Sequence, residues 1–265
     1  MKRVLITGAG SGFGLGSALG LAKVGHYVFA TVRRADQVGE LQAIVAKLGL
    51  QDRVTVEKLD LLEEADRDAA IAWDFDTYVA NAGIGEGGPI AEVPMDRVRS
   101  AFETNVFCNL ALTQKIVRKF IDAGTKGRLI FVSSMGGLMS VYGLAAYGAT
   151  KHALEAIAFN LSEELAEHGI TVQTINPGPY RTGFNDRMAE RTFDWLDPNK
   201  HVSKEAEVRS KFAAMMDNQF DPQEMINKMV EIIGADTGLY RNVWPPQIEA
   251  LVKKTQGEMW TKRIG

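Results

Sequence analysis

The stretch from Lys2 to Val32 constrains the fold more than any other part of this 265-residue chain. Residues 2 to 6 (Lys-Arg-Val-Leu-Ile) read as a short strand. Thr7-Gly8-Ala9-Gly10-Ser11-Gly12-Phe13-Gly14 reads as a glycine turn, and the Ala/Leu-rich run ending near Gly25 as a helix. Residues 26 to 32 (His-Tyr-Val-Phe-Ala-Thr-Val) form the next strand, which completes a strand-helix-strand unit. Glycines in such a turn let the backbone approach a pyrophosphate, while the helix N-terminus offers free amides and positive partial charge to the anion. The fold class expected from this start is α/β: a three-layer, doubly wound Rossmann fold whose mostly parallel sheet has seven strands, with ligands bound outside the carboxyl ends of those strands.

The later chain keeps the alternation. Residues 35 to 48 read as a surface helix and 53 to 59 as the third strand, followed directly by Asp60. A short crossover over 63 to 72 leads to a fourth strand, Thr77 to Ala80, which delivers Asn81-Ala82-Gly83. One long helix over 95 to 123 carries Asn105, and the fifth strand, Arg128 to Val132, is nearly all apolar, as a strand covered on both faces should be. It ends on Ser133-Ser134. A sixth strand between Gly169 and Ile175 runs into Asn176-Pro177-Gly178-Pro179-Tyr180-Arg181-Thr182. A helix over 221 to 233, a last strand over 240 to 244 and a terminal helix over 246 to 254 complete a single domain, 1–265.

From Tyr147 the apolar residues Ala149, Ala153, Leu154, Ala156, Ile157, Leu161 and Leu165 recur at helical intervals, so Tyr147 and Lys151 share one face. A free tyrosine has a pKa of about 10, and moving it to pH 7 takes about 3 units, on the order of 4 kcal/mol in favour of phenolate. An ammonium one turn away supplies part of that, and a cationic cofactor ring more. The pair is suited to acid/base work on carbonyls and alcohols.

Five motifs in order, namely Thr-Gly-x-x-x-Gly-x-Gly from Thr7, Asn81-Ala82-Gly83, the serine pair, Tyr147/Lys151 and Pro177-Gly178, resemble the short-chain dehydrogenase/reductase family in its compact single-domain branch. The resemblance runs from about Lys2 to Thr182. It implies a catalytic set of Asn105, Ser134, Tyr147 and Lys151. Ser134, at the family's usual interval before Tyr147, holds the substrate oxygen and Asn105 holds a water near Lys151. Ser133 is left a structural part, bonding nearby backbone. The resemblance also implies a cofactor pocket made of Gly8, Ser11, Gly12, Phe13, Gly14, Asp60, Leu61, Asn81, Ala82, Gly83, Tyr147, Lys151, Pro177, Gly178 and Thr182. Asp60 serves beside the adenine, as a helix N-cap, or as both. Pro179 and Tyr180 are less usual in the turn and are expected to narrow the pocket.

The second strand ends on Val32-Arg33-Arg34 with no acid at that point. An acid here would bind ribose hydroxyls of NAD, whereas arginine suits the extra phosphate of NADP. Arg33, with Arg34 and Ser11, is the candidate grip, which favours NADP (NADPH); the alternative is two solvated surface charges. Residues 183–220, rich in Met, Phe and Trp, read as a helical substrate lid. Phe184, Met188, Phe193, Trp195, Phe212, Met215 and Met216 either line an apolar cavity with Leu138, Met139, Val141, Tyr142 and Leu144, or simply pack the lid.

The expected activity is NADP-dependent hydride transfer to a ketone or aldehyde with a largely apolar body, or the reverse alcohol oxidation. Two other classes share the fold: a non-catalytic NADP-binding sensor or scaffold, which can dispense with the catalytic set, and a nucleotide-sugar epimerase or dehydratase, whose glycine spacing and longer C-terminal domain differ. With 30 basic against 33 acidic residues, nothing suggests nucleic acid or an anionic membrane as partner. No apolar run reaches membrane-spanning length, the first strand starts at residue 2, and Cys108 is the single cysteine, all of which fit a cytoplasmic protein. Four scattered histidines make no metal site. By resemblance, the helices over 95 to 123 and 147 to 168 pair between subunits in a homodimer or homotetramer.

Overall fold

The computed structural model describes residues 1–264, with Met215 described by its backbone alone, so the side chain counted above among the lid's apolar residues lies outside the described residues. Seven strands, β1 (Arg3–Ile6), β2 (Tyr27–Val32), β3 (Val54–Lys58), β4 (Thr77–Ala80), β5 (Arg128–Val132), β6 (Thr171–Pro177) and β7 (Arg241–Trp244), form one sheet in the order β3-β2-β1-β4-β5-β6-β7. Every neighbouring pair is parallel, so the sheet is parallel throughout. Strand order reverses between β1 and β4, and the crevice at their carboxyl ends is where such sheets bind ligands.

Alternation along the strands divides the core. Val4, Ile6, Val28, Ala30 and Ile130 pack on one face against Leu21 of α1 (Gly12–Lys23), Leu41 of α2 (Asp36–Lys47) and Met225 and Met229 of a later helix. Leu5, Phe29, Tyr78, Leu129 and Phe131 pack on the other against α3 (Glu64–Ile71), α5 (Cys108–Asp122) and α6 (Ala145–Glu164). A strand buried on both faces tolerates this only because its side chains point alternately up and down. Next to α1 lies α9 (Pro222–Gly234): a methyl on Gly20 would stand 2.5 Å from Val230 Cγ2, so glycine sets how closely the two helices approach.

The long helix expected over 95 to 123 is interrupted. It begins as α4 (Met95–Phe102), widens into a π turn over Glu103–Phe107 and resumes as α5. Asn109 Nδ2 donates to the carbonyls of Thr104 (3.0 Å) and Asn105 (3.1 Å), so a side chain occupies carbonyls that a regular helix would pair with its own amides. The sixth strand is longer than expected because Asn176 and Pro177 continue the pairing, opposite Val243 and Trp244. Residues 183–220 hold two helices, α7 (Phe184–Phe193) and α8 (Glu205–Met216). Their connection is tied to the body by Glu92, whose carboxylate accepts from the amides of Val202 (2.5 Å) and Ser203 (3.1 Å). The terminal helix α10 (Pro246–Met259) runs past the expected end at 254.

Candidate active site

A cleft of about 550 Å³ opens over the carboxyl ends of the strands, and every expected cofactor residue borders it, from Gly8 and Gly12 at one side to Tyr147, Lys151 and Thr182 at the other. Gly8 and Gly12 take φ of 70° and 54°, a backbone region closed to most side chains. A methyl at Gly14 would overlap the Gly8 carbonyl oxygen, so the turn folds onto itself and exposes the start of α1. Ser11 at the N-cap makes no side-chain capping bond and the first turn holds no acid. The first amides of α1 therefore face the cleft without an internal competitor, and this cradle fits a dinucleotide pyrophosphate.

At the β2 end, Arg33 and Arg34 both border the cleft with Gln37. Their partners differ. Arg34 donates to the Asp36 carboxylate at 2.9 and 3.0 Å, whereas Arg33 lies 3.9 Å from Asp60 Oδ2 and is 63% exposed. Asp60 does not cap a helix: α3 starts at Glu64, and Asp60 Oδ1 accepts from Leu62 N at 3.1 Å in a local turn. The N-cap alternative thus falls, and Asp60 with Leu61 lies against the cleft.

Asn81 links the ends of β1 and β4, its Nδ2 donating to the carbonyls of Thr7 (2.9 Å) and Gly8 (3.2 Å). Thr7 Oγ1 in turn accepts from the amides of Asn81 and Ala82, both at 3.1 Å. Asn105, fully buried in the π turn, clasps the backbone of Ile84 through both ends of its carboxamide (2.8 Å each) and donates to Thr150 Oγ1 on α6 at 3.0 Å. A methyl on Gly83 would stand 3.1 Å from Asn105 Oδ1 and 3.8 Å from Lys151 Nζ. Asn105 therefore lies beside Lys151, joining α6 to the loop after β4.

Ser134 caps the 3₁₀ turn Met135–Gly137, and its Oγ accepts from Gly136 N at 3.0 Å, which leaves the hydroxyl proton to point elsewhere. Ser133 does not bond nearby backbone as expected: its Oγ is buried without a partner, pressed where a methyl on Gly137 would come within 2.7 Å. Lys151 Nζ donates to the Val132 carbonyl at the end of β5 (2.8 Å) and lies 5.6 Å from the centre of the Tyr147 ring. Burial pushes the Tyr147 phenol up to about 12, with the Ser134 hydroxyl pulling it part of the way back. Burial likewise drives the Lys151 ammonium down to about 8, against the pull of Glu155. The protein alone thus moves the phenol away from neutrality, the reverse of what the Tyr-Lys spacing suggests, because desolvation outweighs the Ser134 hydroxyl and the Lys151 ammonium is turned toward a carbonyl.

The other wall of the cleft is Met135, Val141, Leu144, Phe184 and Met188, with Asn185 and Arg187 at its edge. Several expected lining residues lie elsewhere. Leu138 and Met139 pack on Ile248 and Val252 of α10, and Tyr142 is 51% exposed beneath the Lys211 ammonium. Phe193, Trp195, Phe212 and Met216 form a separate small core with Ala189, Leu196 and Val208. Pro179 and Tyr180 both border the cleft, and the Tyr180 ring, 2% exposed, is backed by Phe13 at 5.5 Å and Phe220 at 5.6 Å. A glycine run after β4 was not singled out from sequence. Methyls at Gly85, Gly87 and Gly88 would collide with Met188, Thr192 and Trp195, so α7 and the residues after it seat directly on bare backbone. Its signal was visible in Gly83-Ile-Gly-Glu-Gly-Gly88.

A parallel sheet with a dinucleotide cradle at its switch point and a serine, tyrosine and lysine converging beside it defines the class of nicotinamide-dependent oxidoreductases. The sequence profile of the short chain dehydrogenase family matches residues 2–192, and the chain belongs to the short-chain dehydrogenase/reductase family. It is 36% identical over 186 residues to the uncharacterized oxidoreductase YusZ of Bacillus subtilis, an alignment covering 68% of this chain and 66%, just under two thirds, of that relative. The 3-ketodihydrosphingosine reductase of Bacteroides thetaiotaomicron is 31% identical over 261 residues, 96% of this chain and 91% of the relative. An actinorhodin polyketide ketoreductase variant with NADPH superposes with a TM-score of 0.75 at 25% identity, covering 93% of this chain and 97% of that one. Among the described residues, no helix is long and apolar enough to cross a membrane.

Proposed function

We propose that this protein is an NADPH-dependent carbonyl reductase, which also runs in reverse as an alcohol dehydrogenase. The observation that carries the reading is the convergence of Ser134, Tyr147 and Lys151 on one cleft with the exposed start of α1. A dihydronicotinamide held in this cleft would supply the hydride that adds to the carbonyl carbon. The free Ser134 proton is aimed at the substrate oxygen and steadies the negative charge that grows there. Tyr147 gives its proton to that oxygen. Lys151 keeps one N–H on Val132, and its other protons would hold the nicotinamide ribose while its charge favours the ionised phenol once the proton has left. Oδ1 of Asn105, on the Lys151 side of Gly83, is the acceptor for a water that returns a proton to the site.

Arg33 is the proposed grip on the 2′-phosphate. It has the freer guanidinium, whereas Arg34 is engaged by Asp36. NADPH in the related ketoreductase and reduction by the Bacteroides relative support the cofactor and the direction. Arg33→Ala is expected to lower the ratio of NADP to NAD efficiency about ten- to a hundredfold, and Arg34→Ala by less. Steady-state kinetics with both cofactors check this, and an unchanged ratio in Arg33→Ala overturns the assignment.

Residues 183–220 act as the lid, and the apolar wall of Met135, Val141, Leu144, Phe184 and Met188 favours a ketone or aldehyde with an apolar body. Phe107 and Phe159, exposed on α5's approach and on α6, support subunit pairing through those helices. A panel of ketones, aldehydes and alcohols followed by nicotinamide absorbance with both cofactors tests the reading. Cofactor binding without turnover of any of them would favour a sensor instead.

A further inference from the structure

We infer that Glu155 is a positioning residue of the active site, one that holds the Ser134 backbone through Asn176 and places a buried carboxylate one helical turn from Lys151. This rests on the reading above of Tyr147 and Lys151 as the acid/base pair. Glu155 is 6% exposed, and a carboxylate is seldom buried to that extent unless paired. Its Oε1 accepts from Asn176 Nδ2 at 2.6 Å, and the same Nδ2 donates to the Ser134 carbonyl at 3.2 Å. Its Oε2 accepts from Arg241 Nη2 at 3.0 Å. Thr174 Oγ1 donates to Asn176 Oδ1 at 3.0 Å, which fixes which way the amide faces. The carboxylate therefore joins α6, β6, β7 and the backbone of the serine that follows β5.

The groups facing this site are few. On α6 they are Lys151 and Tyr147, from the β7 side Arg241 and Tyr240, and from β5 and β6 the uncharged Ser134 and Asn176. Asn105 Oδ1 and Lys151 Nζ both lie beside Gly83. Glu155 is thus the anion acting on the buried ammonium, and its own cationic partner, Arg241, is 42% exposed at the surface. Removing a negative neighbour favours the neutral amine, so the lysine loses its proton at lower pH; removing Arg241 does the opposite.

The test is a titration of the Lys151 Nζ resonance by NMR in ¹⁵N-lysine-labelled protein, the signal being assigned by its loss in Lys151→Met. The wild-type midpoint is expected at about 8. Glu155→Gln should lower it by about one unit, Glu155→Asp should restore most of that, and Arg241→Gln should raise it. The falling alkaline limb of kcat/KM should move with it, giving about a tenfold loss for Glu155→Gln above the wild-type midpoint. A carboxylate that only packed would lower stability and leave both midpoints where they are. Unmoved midpoints in folded Glu155→Gln and in Arg241→Gln overturn the inference; if Glu155→Gln does not fold, the upward shift in Arg241→Gln decides. If no carbonyl is reduced by the wild type, the proposed function fails, while the NMR midpoints still judge Glu155.

Discussion

Tyr147→Phe should lose carbonyl reduction by about 10²- to 10⁴-fold, the usual worth of a positioned general acid. The substitution removes one oxygen and leaves the ring, which is 8% exposed and packs on Phe184 with centroids 5.5 Å apart. Fold and cleft are therefore kept. The loss should fall on kcat, because the proton is needed only as charge develops on the substrate oxygen. NADPH should still bind, seen as its fluorescence enhancement. An unaltered rate would sink the proposed mechanism, in which the Tyr147 proton goes to the substrate oxygen.

The second large effect is on the glycine turn. In Gly14→Ala the new methyl overlaps the Gly8 carbonyl and comes within 2.6 Å of Asn81 Nδ2. Neither can yield cheaply, because the first is backbone and the second is holding the carbonyls of Thr7 and Gly8. The expected cost is about 3 kcal/mol, the upper end for an overpacked site. For a domain of this size that is a fall in Tm of roughly 6 to 12 °C, measurable by circular dichroism, and NADPH affinity should drop with it. Gly10→Ala is the control. Its methyl would meet Gln37 and Val32 at 3.5 Å, an ordinary contact, and its melting should change by no more than about 0.5 kcal/mol. Equal melting of the two variants would show that the turn is not closed as described.

Much of the fold was legible because its signals are local. Alternating strands, the glycine turn and the helical period from Tyr147 each specify their own element, and the order of elements then leaves few topologies for a parallel sheet. That Ser134, Tyr147, Lys151 and the expected cofactor residues share one cleft was legible for a related reason, since each lies at the end of a strand or the start of a helix that pattern had already located. What escaped depends on contacts across the chain. The π turn at Asn105 needs Asn109 to reach back to its carbonyls, and nothing in the apolar spacing of 95 to 123 records that. Glu155 finds its partners only when β6 and β7 are brought against α6. The direction of the Tyr147 shift could not come from its spacing to Lys151, because burial is a property of the assembled core. Composition likewise could not separate Met188, which faces the cleft, from Phe212, which faces its own helix partners.

The three glycines 85, 87 and 88 have a bearing on how this chain can change its substrate. Met188, Thr192 and Trp195 occupy the room that side chains on those glycines would need. The two segments are cut to one another like tenon and mortise, though a hundred positions separate them in the chain. A chimera that imports a relative's 183–220 region alone should assemble poorly wherever that region brings bulk to these seats. One that imports the matching stretch after β4 as well should recover.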